Sequence, residues 1–285
     1  MSVKIIVDSA SDLTVRFAEQ QDLGLAPLKT ILAGTEYRDG IDLTPDTFYD
    51  KLKANKELAS TSQVAVAEFA DLFAKAVNEG DEVVVITISS GLSGTCQSAT
   101  IAAADFPGKV FVVDSLSATA GEQVLAARAI KLRDEGKSAA EIFAELQELK
   151  KRVRLFLRVE TLEYLKRGGR VSKTAAFVGG MLHFMPVLTL NGEGKLETVG
   201  KARGAKLSYK MMNDSIAAAG GIDFSMPVAI TYAGDLKDGV LDAYLADSKE
   251  VFAGNEDKLM IGQLGCVIGT HTGPGAIVIS FASKQ

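Results

Sequence analysis

Apolar positions along this 285-residue chain fall into short runs separated by stretches of helical periodicity, the pattern of β-α units feeding a parallel sheet. Lys4-Ile5-Ile6-Val7 runs into Asp8-Ser9, the run 83–88 into Ser89-Ser90, and the run 110–113 into Asp114-Ser115. Small polar residues therefore gather at strand carboxyl ends. Ligands bind at that edge of open α/β sheets, and Ser or Asp there also caps the next helix, the role we expect for Asp8 and Asp114. Helices are predicted over 65–77, 122–134 and 139–150. A strand over 153–159 opens the second half. It is followed by a short helix over 162–166 ending at Gly168-Gly169, a hairpin joining 186–190 to 195–199 through Asn191-Gly192, and a helix over 206–219. Strands over 228–232, 258–261 and 277–281 complete the pattern. The expectation is an α/β protein of two domains: a parallel-sheet domain over 1–152 and a mixed-sheet domain over 153–285.

With 47% hydrophobic and 24% charged residues, the chain belongs to the ordinary globular class. No apolar run reaches the roughly eighteen residues of a membrane span, and the first dozen residues carry acids instead of a leader's apolar core. Cys96 and Cys266 are too few to staple a chain this long, so a cytoplasmic protein with reduced thiols is expected. A net charge of −5 argues against a general nucleic-acid binder. The charge is unevenly spread, however: residues 150–210 hold fourteen Lys or Arg against four Glu. That window reads either as solvated faces or as a docking surface for an acidic partner.

The chemistry concentrates in Ile268-Gly269-Thr270-His271-Thr272-Gly273-Pro274-Gly275-Ala276, which sets one of two histidines among hydroxyls and glycines beside an apolar strand. Hydroxyl, imidazole and glycine amide donors together suit a carboxylate or phosphate. A second hydroxyl-rich turn, Ser90-Gly91-Leu92-Ser93-Gly94-Thr95, lies where a strand passes into a helix, whose unpaired amides favour an anion. Thr61-Ser62-Gln63 precedes another helix and could cap it or bind a ligand. There is no Walker A sequence, and Gly192-Glu193-Gly194 lacks the third glycine and the helix of a dinucleotide loop. His183 and His271 have no neighbours at metal-ligand spacing, and His183 reads as a packing residue. Thr95 replaces the second glycine of a G-x-S-x-G elbow, so a serine hydrolase using Ser93 and His271, with Asp8 or Asp114 orienting the base, is the alternative reading.

Seven segments in order resemble the DegV family of bacterial fatty-acid-binding proteins, the carrier subunits of a fatty acid kinase system. They are Val7-Asp8-Ser9-Ala10-Ser11-Asp12-Leu13, Thr61-Ser62-Gln63, Ser89 to Thr95, Val113-Asp114-Ser115, Leu165-Lys166-Arg167-Gly168-Gly169-Arg170, Lys201-Ala202-Arg203 and Gly269 to Gly275. The resemblance implies a carrier without turnover of its own, holding one long-chain fatty acid, with no metal and no other cofactor. It assigns the head group to Thr61 or Ser62, to Ser93 with Gly94, and to His271 with Thr272, between the two domains. Arg170 and Arg203 would lie near the mouth, Arg203 facing a separate ATP-dependent kinase whose acyl phosphate product feeds phospholipid synthesis. Transient contact with a membrane surface fits such a carrier; a membrane span does not. Residue 64 is Val where the family often has Pro, and residue 185 is Met where Lys commonly precedes Pro186. Phe156, Phe177, Met181, Leu182, Phe184, Leu188 and Phe281 are candidates for the tail pocket and equally for ordinary core.

Overall fold

The computed structural model describes residues 2–54, 59–171 and 184–284. The first half runs β1 (Val3–Asp8), α1 (Val15–Gln20), β2 (Leu23–Ala26), β3 (Lys29–Leu32), β4 (Thr35–Arg38), α2 (Pro45–Ala54) and β5 (Ser60–Ser62). It continues through α3 (Val66–Asn78), β6 (Glu82–Thr87), α4 (Thr95–Ala103), β7 (Val110–Asp114), α5 (Ala120–Asp134) and α6 (Ala139–Leu149). A four-stranded parallel sheet has the order β2-β1-β6-β7. Both its faces are covered, which is why its strands read as unbroken apolar runs. Alternation sorts the side chains between two cores. Ile6, Val83 and Val85 pack with Phe69 and Phe73 of α3, whereas Ile5, Val7, Val84 and Ile86 pack with Leu125 of α5 and with Ile142 and Leu146 of α6.

A three-stranded antiparallel sheet, order β4-β3-β5, sits beside this layer and was not anticipated from the sequence. Its tight turn is Ala33-Gly34, both residues at positive φ (50° and 75°), between the paired Leu32 and Thr35. Such a turn usually announces itself with Asn-Gly or Asp-Gly; alanine in the first place conceals it.

The second half runs β8 (Val153–Arg158), α7 (Glu163–Arg167), β9 (Phe184–Leu190), β10 (Leu196–Arg203), α8 (Ala205–Ala218) and β11 (Val228–Tyr232). It ends with α9 (Val240–Asp247), α10 (Lys249–Phe252), β12 (Leu259–Gln263), α11 (Cys266–Thr272) and β13 (Ile277–Ala282). Its six-stranded sheet has the order β10-β9-β8-β13-β11-β12, antiparallel except for the β11–β12 pair. The chain is thus α/β, with a parallel sheet in its N-terminal part and a mixed sheet in its C-terminal part.

The alternation of this sheet decides where a pocket can form. Phe156, Val187, Ile230, Ile279 and Phe281 face outward onto Tyr209 and Met212 of α8. Leu155, Leu157, Leu188, Ala229 and Val278 face inward and merge with the core that contains Phe69 and Phe73. The two sheets also meet directly. The Ser89 hydroxyl donates to the Gly194 carbonyl at 2.8 Å, joining the β9–β10 loop to the turn after β6. A Cβ on Gly91 would stand 2.7 Å from the Glu193 carbonyl oxygen and 2.8 Å from that of Gly194, so only glycine fits there.

This contact can be tested through stability. Gly91→Ala should cost about 1–3 kcal/mol in urea unfolding, the usual price of overpacking against atoms that cannot yield. Gly192→Ala, whose Cβ meets open space on the same loop, should leave the midpoint unchanged. Equal midpoints for the two variants would show that the contact contributes nothing.

Candidate functional site

The histidine string is helical. Ile268 to Thr272 form the end of α11, so the hydroxyls of Thr270 and Thr272 bond back to the Cys266 and Ile268 carbonyls, at 2.8 and 3.0 Å. Gly273 N–H donates to the Gly269 carbonyl and Gly275 N–H to that of Ala233. The amides expected to cradle an anion are therefore occupied, and a helix C-terminus presents the negative end of its dipole. Of this string, the imidazole is what remains free to meet a ligand.

His271 Nε2 lies 2.8 Å from Thr61 Oγ1, a contact between residues 210 positions apart in the chain. Its Nδ1 is buried without a partner among the described residues. Burial, assisted by the positive charge of Arg170, lowers its pKa to about 4, so the ring is neutral at physiological pH. If Nε2 carries the proton and donates to Thr61, the Thr61 hydroxyl is released to donate onward to an acceptor in the pocket. Gly168 closes the other side of the ring: a Cβ there would stand 2.1 Å from Nδ1.

Thr61 and Ser62 lie on β5, not in a capping position. The start of α3 is closed instead by Glu68, whose carboxylate accepts from the Ala65 N–H at 2.9 Å. Ser93 occupies the turn leading into α4, its hydroxyl 2.9 Å from Thr95 Oγ1, with Gly94 at the helix N-cap. Gly94 packs against Gln63, which in turn donates to Ser98 at 2.8 Å. Asp8 caps the short 3₁₀ turn Ser9–Ser11, as anticipated, whereas Asp114 does not cap the next helix, which starts at Ala120 without a side-chain cap. Asp8 accepts from Ala10 and Ile88, and Asp114 from Ser90 and Leu116. Among the described residues no acid contacts His271, and Ser93 bonds to Thr95 instead of the imidazole, so they do not assemble the nucleophile–base–acid chain of a hydrolase.

Thr61, Ser62, Gln63, Ser93, Arg170, His271 and Thr272 all border one pocket between the two sheets. The rest of its wall is apolar: Leu28, Ile88, Leu92, Leu155, Leu157, Leu165, Leu190, Leu196, Val267, Ile268 and Val278, with Ala118 and Thr119. The enclosed space, mouth included, is about 700 Å³. Of the tail candidates, Phe156 and Phe281 belong to the outward core under α8, Leu188 packs in the inner core, and neither Leu188 nor Phe184 borders this pocket. Phe177, Met181, Leu182 and His183 lie outside the described residues. Thr119 was missed by sequence reasoning. It stands at φ 46°, rare for a non-glycine residue, with its hydroxyl 2.9 Å from that of Thr231. No local motif marks such a position.

The basic window is not a single surface. Arg158 is buried, reaching the Gly275 carbonyl at 2.6 Å and stacking 5.4 Å above the Tyr209 ring. Arg152 pairs with Asp223, Lys210 with Asp214, Lys195 with Glu193, and Arg167 with Glu163. Met185 turns its sulfur to Arg158 and Ser208, so a lysine there would crowd a guanidinium. Val64 is fully buried in the inner core. Arg203 is exposed at the end of β10, away from the pocket wall. Among the described residues no group of side chains could hold a metal ion, and no helix is long and apolar enough to cross a membrane.

The far end of α11 is fixed by acids. Asp12 accepts from the Gly265 N–H at 2.8 Å and Asp39 from the Cys266 N–H at 2.9 Å, while Ser9 donates to Asp39 at 3.0 Å. Negative charge at a helix N-terminus is favourable, but Asp39 is buried together with Asp8 and Glu122, and the Oδ2 of the half-buried Asp12 is also enclosed. Burial raises Asp8 to about 7 and Asp39 to about 6, and lifts Asp12 and Glu122 well above the carboxylate range.

Comparison with known proteins agrees with this architecture. The sequence profile described as "Uncharacterised protein, DegV family" matches residues 2–284. The chain belongs to the DegV family. It is 32% identical over 286 residues to a DegV domain-containing protein of Caldanaerobacter subterraneus subsp. tengcongensis, covering 99% of each chain. A DegV family protein from Thermus thermophilus, solved for its fatty acid binding, superposes with a TM-score of 0.87 at 35% identity, over 99% of this chain and 100% of that one. A stearic-acid-binding protein from Eubacterium ventriosum gives 0.82 at 29% identity, over 100% of this chain and 99% of that one. Fatty acids are thus the ligands bound by DegV proteins of known structure.

The raised pKa of Asp39 predicts a stability slope. Between about pH 4 and pH 6 the unfolded chain releases this proton while the folded chain keeps it, so its contribution to stability falls as pH rises through that window and levels off above it. Asp39→Asn, which resembles the protonated acid and retains an acceptor for Cys266, should flatten that part of the curve in urea unfolding at stepped pH. An unchanged slope would remove Asp39 from the account.

Proposed function

We propose that this chain binds one long-chain fatty acid, its carboxylate held between residues 1–152 and 153–285 and its tail in the apolar pocket. The observation that carries the reading is the pocket itself: an apolar cavity whose wall also includes Thr61 of β5, Ser93 of the turn before α4 and His271 of α11. A sixteen-carbon tail buried at about 0.8 kcal/mol per CH₂ supplies ample gross driving force, leaving the polar groups to set orientation. The carboxylate would receive hydrogen bonds from the Thr61 and Ser93 hydroxyls, with Ser62, Gly94 and Thr272 completing its surroundings. His271, neutral, fixes the direction of the Thr61 hydroxyl. Arg170 supplies the positive charge that the imidazole does not, limiting the cost of burying an anion.

The bound lipid is then a substrate for a separate kinase, the chain itself performing no turnover. A carboxylate oxygen attacks the γ-phosphorus of ATP, ADP leaves, and a mixed anhydride remains in the carrier for phospholipid synthesis. Arg203, exposed and not part of the pocket wall, is suited to meet that partner. A cytoplasmic carrier that touches membrane surfaces transiently fits this role.

Native mass spectrometry of freshly purified protein should find a stoichiometric fatty acid, identified after denaturing extraction. A protein that is empty and takes up neither palmitate nor oleate would overturn the reading. Thr61→Val should weaken palmitate binding about tenfold or more, the usual cost of losing a hydrogen bond to a charged group. Wild-type protein should not hydrolyse a palmitoyl ester; turnover abolished by Ser93→Ala would reinstate the hydrolase.

A further inference from the structure

Four acids gather where the two halves of the chain meet at the start of α11. Asp8 ends β1, Asp12 follows the Ser9–Ser11 turn, Asp39 follows β4, and Glu122 lies in the first turn of α5. Asp8, Asp39 and Glu122 are buried, and both Glu122 oxygens and the Asp12 Oδ2 are enclosed without a partner among the described residues. The other titratable groups beside them are Tyr49 of α2, Cys266 of α11 and Asp114 at the end of β7. Among the described residues, the groups that act most strongly on the four acids include no basic side chain. Carboxylates enclosed together without counter-ions cannot all ionise, so part of the cluster keeps its protons near neutral pH, with Asp8 at about 7 and Asp39 at about 6. The lipid pocket is reached from this cluster in two ways. Thr119, a near neighbour of Asp12, borders it. α11, whose first amides Asp12 and Asp39 hold, is seven residues long and carries His271 into the polar part of the wall, so roughly 10 Å separates the acids from the imidazole. Val267 and Ile268 fill the interval as buried core, and charges across such a medium are screened little.

We propose that binding of an anionic lipid in this pocket is coupled to protonation of the acid cluster at the start of α11: the neutral cluster admits the anion and the ionised cluster repels it. The proposal rests on the lipid reading, which puts the carboxylate beside Thr61, Ser93 and His271. Binding then draws a proton from solvent onto Asp8 or Asp39, because a bound anion raises the pKa of those acids further. Affinity is therefore greatest below about pH 6, falls as pH rises through their lipid-free values, and levels off once they are ionised with and without lipid. Arg170 and His271 are the basic groups on the pocket wall itself, and His271, with its pKa lowered to about 4, is already neutral in this range.

Equilibrium binding of monomeric palmitate from about pH 6 to about pH 8.5 tests this against 1-hexadecanol, an uncharged ligand of the same chain length. Palmitate should bind about tenfold more weakly at the upper end than at the lower, and hexadecanol equally at both. Calorimetry near neutral pH in two buffers of different ionisation enthalpy should show proton uptake with palmitate and none with hexadecanol. Asp39→Asn and Asp8→Asn, which imitate the protonated acids, should each flatten the palmitate curve; if the Asp8 variant does not fold, Asp39→Asn and the wild-type proton uptake decide. Constant palmitate affinity without proton uptake overturns the coupling and leaves the lipid reading intact. Equal slopes for the two ligands overturn it as well, since pH would then act through the fold and not through the ligand's charge. Palmitate that fails to bind at any pH overturns the lipid reading instead.

Discussion

Two buried carboxylates, Asp12 and Asp39, hold the first amides of α11, and the site depends on where that helix points. α11 contributes Val267 and Ile268 to the apolar wall and His271 to the polar one, so its position couples the tail and head ends of the pocket. Both acids come from the first half of the chain and the helix from the last twenty residues. The contact therefore also joins the two sheets. Burial makes this attachment costly, since neither carboxylate is fully hydrated, and the cost appears as pKa values raised above the usual carboxylate range. Fixed geometry for the helix is gained at the expense of stability near neutral pH.

The second constraint is alternation along the six-stranded sheet. Neighbouring residues of β8 have opposite fates: Leu155 and Leu157 border the pocket while Phe156 packs beneath α8. The smaller aliphatic side chains face the cavity and the bulkier aromatic ones fill the outer core. That division keeps the space between the sheets open, because a phenyl ring at position 155 or 157 would project into it. The β9–β10 loop then closes the pocket's edge by resting on Ser89 and Gly91, with Leu190 and Leu196 flanking the loop as wall residues.

Much of this was legible in the residue pattern. The strands over 228–232 and 277–281, the hairpin at Asn191 and the helices over 122–134 and 139–150 appear within a few residues of the expected bounds, because apolar periodicity and turn chemistry agree there. The hydroxyls at 61 and 93 and the imidazole at 271 were selected from their surroundings, and all border the same pocket. Three things were not legible. The turn at Ala33-Gly34 lacks its usual residue. The end of α11, rich in threonine and glycine, has a loop's composition and is helical through its packing against neighbours. The choice between Phe156 and Leu157 as pocket wall depends on which face of β8 meets the other sheet, a tertiary fact with no local trace.

The electrostatics of the site follow from one asymmetry. A carboxylate at the polar part of this wall would need donors and some positive charge, yet the imidazole there is held neutral by burial and by Arg170. A protonated His271 would attract the anion strongly, but the ring would then exist with its Nδ1–H unpartnered in an apolar wall, the condition that burial opposes. The charge is instead placed on Arg170, on the pocket wall, where its guanidinium stays partly in water and its orientation is set by the carbonyls of Leu92 and Gly168. Neutral donors thus line the pocket, and permanent charge stands at its exposed side. A carboxylate could be accommodated at such a wall without any change in the protonation state of His271.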